Sequence, residues 1–270
     1  MLIPAPADWR DKLQAAHDPA PAKDAATIAV VRPGAAELEV FLMRRQASMA
    51  FAAGMYVFPG GGVHEADAEP LPWLGPEAAH FAARFRCSVD TAHSLVVAAA
   101  RETFEETGVL IAGADEHSVV SDVTPYHDAR AALEAHELTF SEFLRENGLS
   151  LRADLLGAWA HWITPRFEPR RFDTRFFAAV LPAGQRIDSV SDEADVSGWL
   201  PLSEALALVE RGEAAMMPPT RVTCGELARE SAETVLAAAT ARSIETIEPR
   251  LVELNGKLWL DTGIETGGVA

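Results

Sequence analysis

Glu102, Glu105 and Glu106 stand three, one and four residues apart in AHSLVVAAARETFEETGVLI, residues 92–111. On a helix turning about 100° per residue they share an arc of roughly 100°. Val96, Ala100 and Phe104 fall on the opposite side with Thr103 and Thr107 beside them, and Arg101 lies between the two faces. Like charges at such spacings repel by roughly 0.2–0.5 kcal/mol per pair on an exposed helix. Arg101 is the only Lys or Arg in the segment to offset them. Two readings are open at this point. One is a solvated acidic face. The other is a set of hard oxygen ligands for Mg2+ or Mn2+, with waters and a substrate phosphate completing the octahedron.

Other elements must hold such a helix. Ala25–Val31 and Leu38–Met43 are β-rich runs joined by RPGAAE, which predicts a hairpin turning at Pro33-Gly34. Met55–Phe58 is a third short run, stopped by Pro59 and an irregular turn at Gly60, Gly61 and Gly62 that permits close backbone approach. Helices are expected over about 76–87 and 91–107, the second ended by Gly108. Two more are expected over 125–135 and 141–147, with Thr139 or Ser141 as N-cap. Strand character returns at 155–163 and 175–181. Helices follow at 202–210 and, as one or two pieces, 221–242; Asn255-Gly256 then predicts a closing hairpin. Strands and helices mixed in this irregular order favour an α/β sandwich over a doubly wound sheet.

The chain of 270 residues carries a formal charge of −17. That acidity disfavours nucleic acid as a partner and requires that a phosphorylated substrate meet a locally positive site. No apolar stretch of about 18 residues is present, so no membrane span is expected. The N-terminus lacks a basic region followed by an apolar run, so it does not read as a secretory signal. Cys87 and Cys224 lie outside any ligand spacing and are expected to be free thiols in a reducing cytoplasm. His64, His93, His127 and His161 show no ligand pairing and read as structural or surface residues.

Arg101 to Val109 reads RETFEETGV and matches R-E-(apolar)-x-E-E-x-G-(apolar), with Thr103 in place of an apolar residue. Gly61 and Asp67 stand as G-x5-E, with an acid one methylene short that is not counted as a ligand. Ala68 to Ala100 spans 33 residues where this pattern allows seven, an insertion of 26. Extra loop length of this kind costs little once its ends are held. The chain thus resembles the Nudix hydrolases, in particular an interrupted-box branch that includes acyl-coenzyme A diphosphatases. ITPRFEPRRFDTRFF at 163–177 and SDEADVSGWLPLSEAL at 191–206 fit that branch in order.

The resemblance implies an α/β/α sandwich of the α+β class with a mixed sheet. It implies an N-terminal extension over 1–24 and one domain over 25–270, with an insertion at about 68–100 and a C-terminal helical extension at about 202–270. It also implies water attack on a diphosphate in a nucleotide-like small molecule, coenzyme A or acyl-coenzyme A first. Glu102 and Glu106 are then the leading metal ligands with Glu105 third, and a carboxylate not committed to metal orients or deprotonates the water. Arg101 pairs with a glutamate of its own helix, and Glu193 is a further carboxylate for the site. Arg45, Gly61, Arg170, Arg171 and Arg175 are candidates for substrate contact, the arginines because a guanidinium fork suits phosphate oxygens. Ala50 stands where the coenzyme A branch has a second Arg, which leaves ADP-ribose, NADH and diadenosine polyphosphates open. A catalytically silent binding module is the alternative from another class, and the C-terminal helices and hairpin are a candidate homodimer interface.

Overall fold

The computed structural model describes residues 1–5, 7–12, 19–46, 54–187 and 194–264. β1 (Leu2–Pro4) is followed by β2 (Ala22–Pro33), β3 (Leu38–Arg45), β4 (Tyr56–Val57) and β5 (Gly60–Gly62). Next come β6 (Trp73–Leu74), α1 (Ala78–Phe85), α2 (Val89–Thr107), β7 (Ala112–Gly113), α3 (His127–Glu134) and α4 (Phe140–Glu146). β8 (Ser150–Arg152), β9 (Gly157–Ile163), β10 (Arg171–Val180) and β11 (Ala194–Pro201) precede α5 (Leu202–Glu210), α6 (Pro218–Leu227) and α7 (Val235–Ala241). The chain closes with β12 (Thr246–Ile247), β13 (Arg250–Leu254) and β14 (Lys257–Asp261).

The main sheet runs β11-β3-β2-β10-β9-β12, with β4 beside β3 and β5 beside β2. It is mixed, since β10 runs parallel to β2 and antiparallel to β9. The run AATIAVV in β2 is apolar apart from Thr27 because the sheet is covered on both faces. Ala26, Ile28 and Val30 enter one core together with Leu95, Val96, Ala99 and Phe104 of α2. Ala29 and Val31 point the other way, into a second core with Leu202, Cys224, Leu227 and Val235 from α5, α6 and α7. Alternation along one strand thus builds an α/β/α sandwich. Among the described residues no helix is long and apolar enough to cross a membrane.

The predicted hairpin is present, with Val31 opposite Val40 and Pro33 opposite Leu38. Gly108 ends α2 at φ 75°, and Thr139 caps α4, its hydroxyl accepting from Glu142 N and its own N–H donating to the Glu142 carboxylate. Asn255 and Gly256 take positive φ in the closing turn.

Within the N-terminal extension β1 pairs with β14 from Leu2↔Asp261 to Pro4↔Trp259. Three expectations need correction. The glycine run is a strand rather than a turn, with Gly60, Gly61 and Gly62 opposite Thr27, Ala26 and Ala25. β10 begins at Arg171, not Arg175, since pairing with β2 carries residues 171–174, three of them polar, into the ladder. The 221–242 segment is two helices that together begin earlier, at Pro218, where proline suits the first turn. They are separated by a turn in which Ser231 N donates to Thr234 Oγ1 at 2.8 Å, a local bond that competes with helix. The insertion holds α1 and the N-terminal turns of α2, in line with the helices expected there, and Ser88 Oγ caps α2 by accepting from Thr91 N at 3.0 Å.

Candidate active site

α2 is buried almost all round, from Leu95 to Ala100 and again at Arg101 and at Thr103 to Thr107. Glu105 and Glu106 are each only 7% exposed, which removes the solvated-face reading. Carboxylates are rarely this buried without partners, and the partner here is Arg101. Its Nε and Nη2 donate to the two oxygens of Asp67 at 2.8 and 3.0 Å, and Nη2 also donates to Gly62 O at 3.1 Å. Nη1 donates to Glu102 Oε1 at 3.0 Å and Glu105 Oε2 at 2.9 Å. A guanidinium has five N–H donors, and these five bonds occupy them all. Arg101 therefore orients carboxylates and has no donor left for a substrate. Burial works against its charge, but Asp67, Glu102 and Glu105 outweigh this and hold its pKa above the ordinary value.

The glycine strand closes the other side. Gly60 N donates to Glu106 Oε2 at 2.7 Å. A Cβ on Gly60, at φ 151°, would lie 2.4 Å from Ala26 O, so only glycine fits. A Cβ on Gly61 would lie 2.5 Å from Glu102 Cδ and Oε1, so the strand lies directly against that carboxylate. Gly61→Ala is expected to push the Glu102 carboxylate aside, because the side chain yields more easily than the strand. Misplacement by about 1 Å can cost about 10²-fold in rate. Steady-state kinetics beside a thermal melt checks this. A kcat within twofold of wild type at an unchanged melting temperature would refute the requirement for glycine.

Glu105 holds the least balanced charge. Its Oε1 is buried and has no hydrogen-bond partner. Burial, reinforced by Glu102 and Asp67 against the opposing pull of Arg101, pushes its pKa up to about 7. The folded protein therefore retains this proton over a range in which the unfolded chain, near 4.5, has released it. In chelator, stability contributed by the protonated carboxyl is fully present below pH 4.5 and is lost as the pH rises toward 7. Melting temperatures measured from pH 5 to 7.5 should fall with pH in wild type and less so in Glu105→Gln. Parallel profiles would refute the assignment.

Asp67, Glu102 and Glu105 set three carboxylates around the guanidinium of Arg101, and Glu106 accepts from Gly60 N beside them. Among the described residues no three such side chains are already grouped as a ligand set. Glu102 and Glu105 each give an oxygen to Arg101, and Glu106 gives one to Gly60. The orphaned Glu105 Oε1 and the hardness of the donors nonetheless fit a divalent cation.

The structure brings together Arg101, Glu102, Glu105, Glu106 and Gly61. Arg171 and Arg175 are engaged elsewhere, and for Arg175 the partners include Asp173, the structural ion pair that their spacing of two residues left open beside substrate contact. Arg171 is buried, donating to Thr164 O, Ala20 O and Glu248. Arg175 is buried and paired with Asp24 and Asp173. Asp173 also bonds His161, which confirms the structural reading of that histidine. A buried guanidinium must be paired, and the carboxylates come from the adjoining strand β2 (Asp24), from β10 itself (Asp173) and from the turn after β12 (Glu248). Arg170 is exposed just before β10. Arg45 ends β3, its N–H donating to Met55 O at 3.1 Å and its carbonyl accepting from Gly54 N at 3.0 Å. Glu193 and Ala50 lie outside the described residues.

Two residues escaped sequence reasoning. Asp67, set aside as too short to be a ligand, is the clamp on Arg101, and its place in G-x5-E was the available signal. Arg130 donates from Nε to Glu105 O at 2.8 Å and tethers α3 to the C-terminal turn of α2. No local pattern distinguished it.

Comparison with known proteins agrees with this geometry. The family model of the NUDT19 Nudix domain matches residues 76–227. A crystal structure of a Nudix hydrolase from Alicyclobacillus acidocaldarius is 30% identical, covers 83% of this chain and 98% of its own, and superposes with a TM-score of 0.68. Nudix hydrolase 7 of Caenorhabditis elegans is 29% identical over 182 residues, 67% of this chain and 52% of that protein. The acyl-coenzyme A diphosphatase NUDT19 of Xenopus laevis is 23% identical over 219 residues, 68% of this chain and 58% of that protein. The chain thus spans little more than half the length of these two relatives. With more than half of its residues inside the family model and a 30% identical structure matched over nearly its full length, the chain belongs to the Nudix hydrolase family.

Proposed function

We propose that this chain hydrolyses the diphosphate linkage of a nucleotide-like substrate, with coenzyme A or acyl-coenzyme A first among candidates, using Mg2+ or Mn2+ held by Glu102, Glu105 and Glu106. The observation that carries the reading is the buried Oε1 of Glu105, which has no hydrogen-bond partner among the described residues, on the helix that also bears Glu102 and Glu106. Bound dications would neutralise the phosphate oxygens and acidify a water. Arg101 fixes the rotamers of Glu102 and Glu105 while spending no donor on substrate. Gly60 and Gly61 keep the backbone close to Glu106 and Glu102. A carboxylate of this group that is not committed to metal would orient or deprotonate the attacking water. Preference for coenzyme A rests on the NUDT19 family model and the Xenopus laevis relative. A cytoplasmic location fits the two free thiols, Cys87 and Cys224.

A product-resolved assay of coenzyme A, NADH, ADP-ribose and diadenosine tetraphosphate with Mg2+ and Mn2+ tests the reading. Coenzyme A is expected to be cleaved at its diphosphate and to be spared in chelator. Turnover of none of the four with metal would support the silent binding module instead. Full turnover in chelator would refute the role given to the glutamates.

A further inference from the structure

A helix leaves the carbonyls of its last turn without partners of its own. In α2 that turn, Phe104 to Thr107, also carries Glu105 and Glu106. Gly108 N donates to Phe104 O at 2.8 Å. Val109 N, which a continued helix would bring to Glu105 O, donates instead to Thr107 Oγ1 at 3.1 Å. Glu105 O takes its donor from another element, Arg130 Nε of α3, at 2.8 Å.

Arg130 is buried, and a Cβ on Gly108 would stand 3.2 Å from its Nη1, so the glycine that ends α2 also leaves room for this guanidinium. Burial works against its charge, while Glu134, 3.4 Å from Nε, and Glu106 support it. A cation at the C-terminal end of a helix is favoured by the helix dipole as well. α3 does not depend on this one bond for its place. Leu133 is buried in the same core as Phe104, and Tyr126, just before α3, meets Phe143 at 5.5 Å between ring centres. At the other end His136 meets the ring of His64 at 5.2 Å, and His64 N donates to the Asp67 clamp. α3 thus adjoins the site at both of its ends.

We infer that Arg130 is a positioning residue of the candidate active site: by giving Glu105 O the hydrogen bond that α2 itself does not make, it fixes the last turn of the helix and with it the aim of Glu105 and Glu106 at a metal ion. The inference rests on the metal-dependent reading above. Arg130 acts through the backbone of α2, and the bond from Nε, rather than the charge, does the positioning. Two substitutions separate bond from charge. Glutamine carries an amide nitrogen at the chain position of Nε and no charge, whereas lysine keeps the charge and puts a methylene at that position.

Mn2+ alone is titrated into the full wild-type chain and into Arg130→Gln, Arg130→Lys and Arg130→Met, with the free ion followed by electron paramagnetic resonance. Glu106→Gln identifies the binding that belongs to this site. Arg130→Gln is expected to bind Mn2+ within about threefold of wild type, and the lysine and methionine variants at least about tenfold more weakly, since ligands displaced by about 1 Å no longer share one ion well. In an assay of coenzyme A, NADH, ADP-ribose and diadenosine tetraphosphate, kcat should follow the same order at unchanged KM. A cation that only repelled the metal would give the opposite sign, with tighter binding once its charge is removed. Equal or tighter Mn2+ binding by the methionine variant, or binding by the glutamine variant as weak as that of methionine, overturns the role of the Arg130 bond and leaves the metal reading standing. Absence of Glu106-dependent Mn2+ binding in wild type overturns the metal reading and the inference with it. Arg130-dependent Mn2+ binding with none of the compounds hydrolysed refutes the hydrolase reading and upholds the positioning. If the methionine variant does not fold, the order of glutamine and lysine decides: lysine at or above glutamine overturns the inference.

Discussion

Glu106→Gln should lower kcat about 10³-fold, the scale of losing one preorganised electrostatic group, while leaving the fold intact. Glutamine keeps an acceptor oxygen for Gly60 N, which bonds Glu106 Oε2 at 2.7 Å, and nearly the same shape in a site only 7% exposed. It removes the charge a dication requires. Without metal, the substitution should hold or raise the melting temperature, because it relieves repulsion from Glu102 and Glu105 worth roughly 0.2–0.5 kcal/mol per pair. With metal, the order should invert. Mg2+ at 100 times its dissociation constant adds about 2.7 kcal/mol to a protein that binds it only when folded, and the variant forfeits much of that gain. Paired melts and kinetics with Mg2+ and with chelator read both effects. A kcat within threefold of wild type would remove Glu106 from the metal set.

Asp67→Ala should cost about 3–5 kcal/mol of stability, the usual result of stripping a partner from a buried ion pair. Arg101 and Asp67 are 5% and 1% exposed and share two hydrogen bonds. Alanine leaves Nε and one hydrogen of Nη2 without an acceptor where water does not reach. At roughly 2–4 °C per kcal/mol for a domain of this size, the melting temperature should drop by about 10 °C. Asp67 also accepts from His64 N at 2.7 Å, so the turn that follows the glycine strand loosens with it. Asp67→Asn keeps an acceptor and the shape, and should lose about half as much. Activity should fall in both, since an Arg101 released on one side is drawn further onto Glu102 and Glu105 and competes with metal for them. Thermal melts of the two variants beside Mg2+ titrations would show this. An alanine variant as stable as wild type would mean that Asp67 is not the clamp.

Together these substitutions separate the two halves of the site's electrostatics. Asp67 and Arg101 form a closed pair that stabilises the fold, whereas Glu106, held by Gly60 N, is a carboxylate whose charge the proposed metal would use.

The box from Arg101 to Val109 was legible because its chemistry is local: spacings of three and four put the glutamates on one side of a helix whatever the helix packs against. The hairpin at Pro33-Gly34, the glycine stop at Gly108, the Thr139 cap and the Asn255-Gly256 turn were legible for the same reason, since each depends on the conformational preference of a few adjacent residues. What the residues decided alone, then, was the identity of the carboxylates and the punctuation of the chain. Tertiary structure decided their charge balance. Asp67 lies 34 positions from Arg101, and no periodicity says that its carboxylate will meet the guanidinium at 2.8 Å. Whether Gly60 and Gly61 form a turn or a strand depended on β2 being free to pair with them. Arg171 and Arg175 looked like phosphate ligands because a guanidinium fork suits a phosphate and a carboxylate equally. Only the pairing of β10 with β2 and β9, and the return of the chain at Glu248, determined that carboxylates would reach them first.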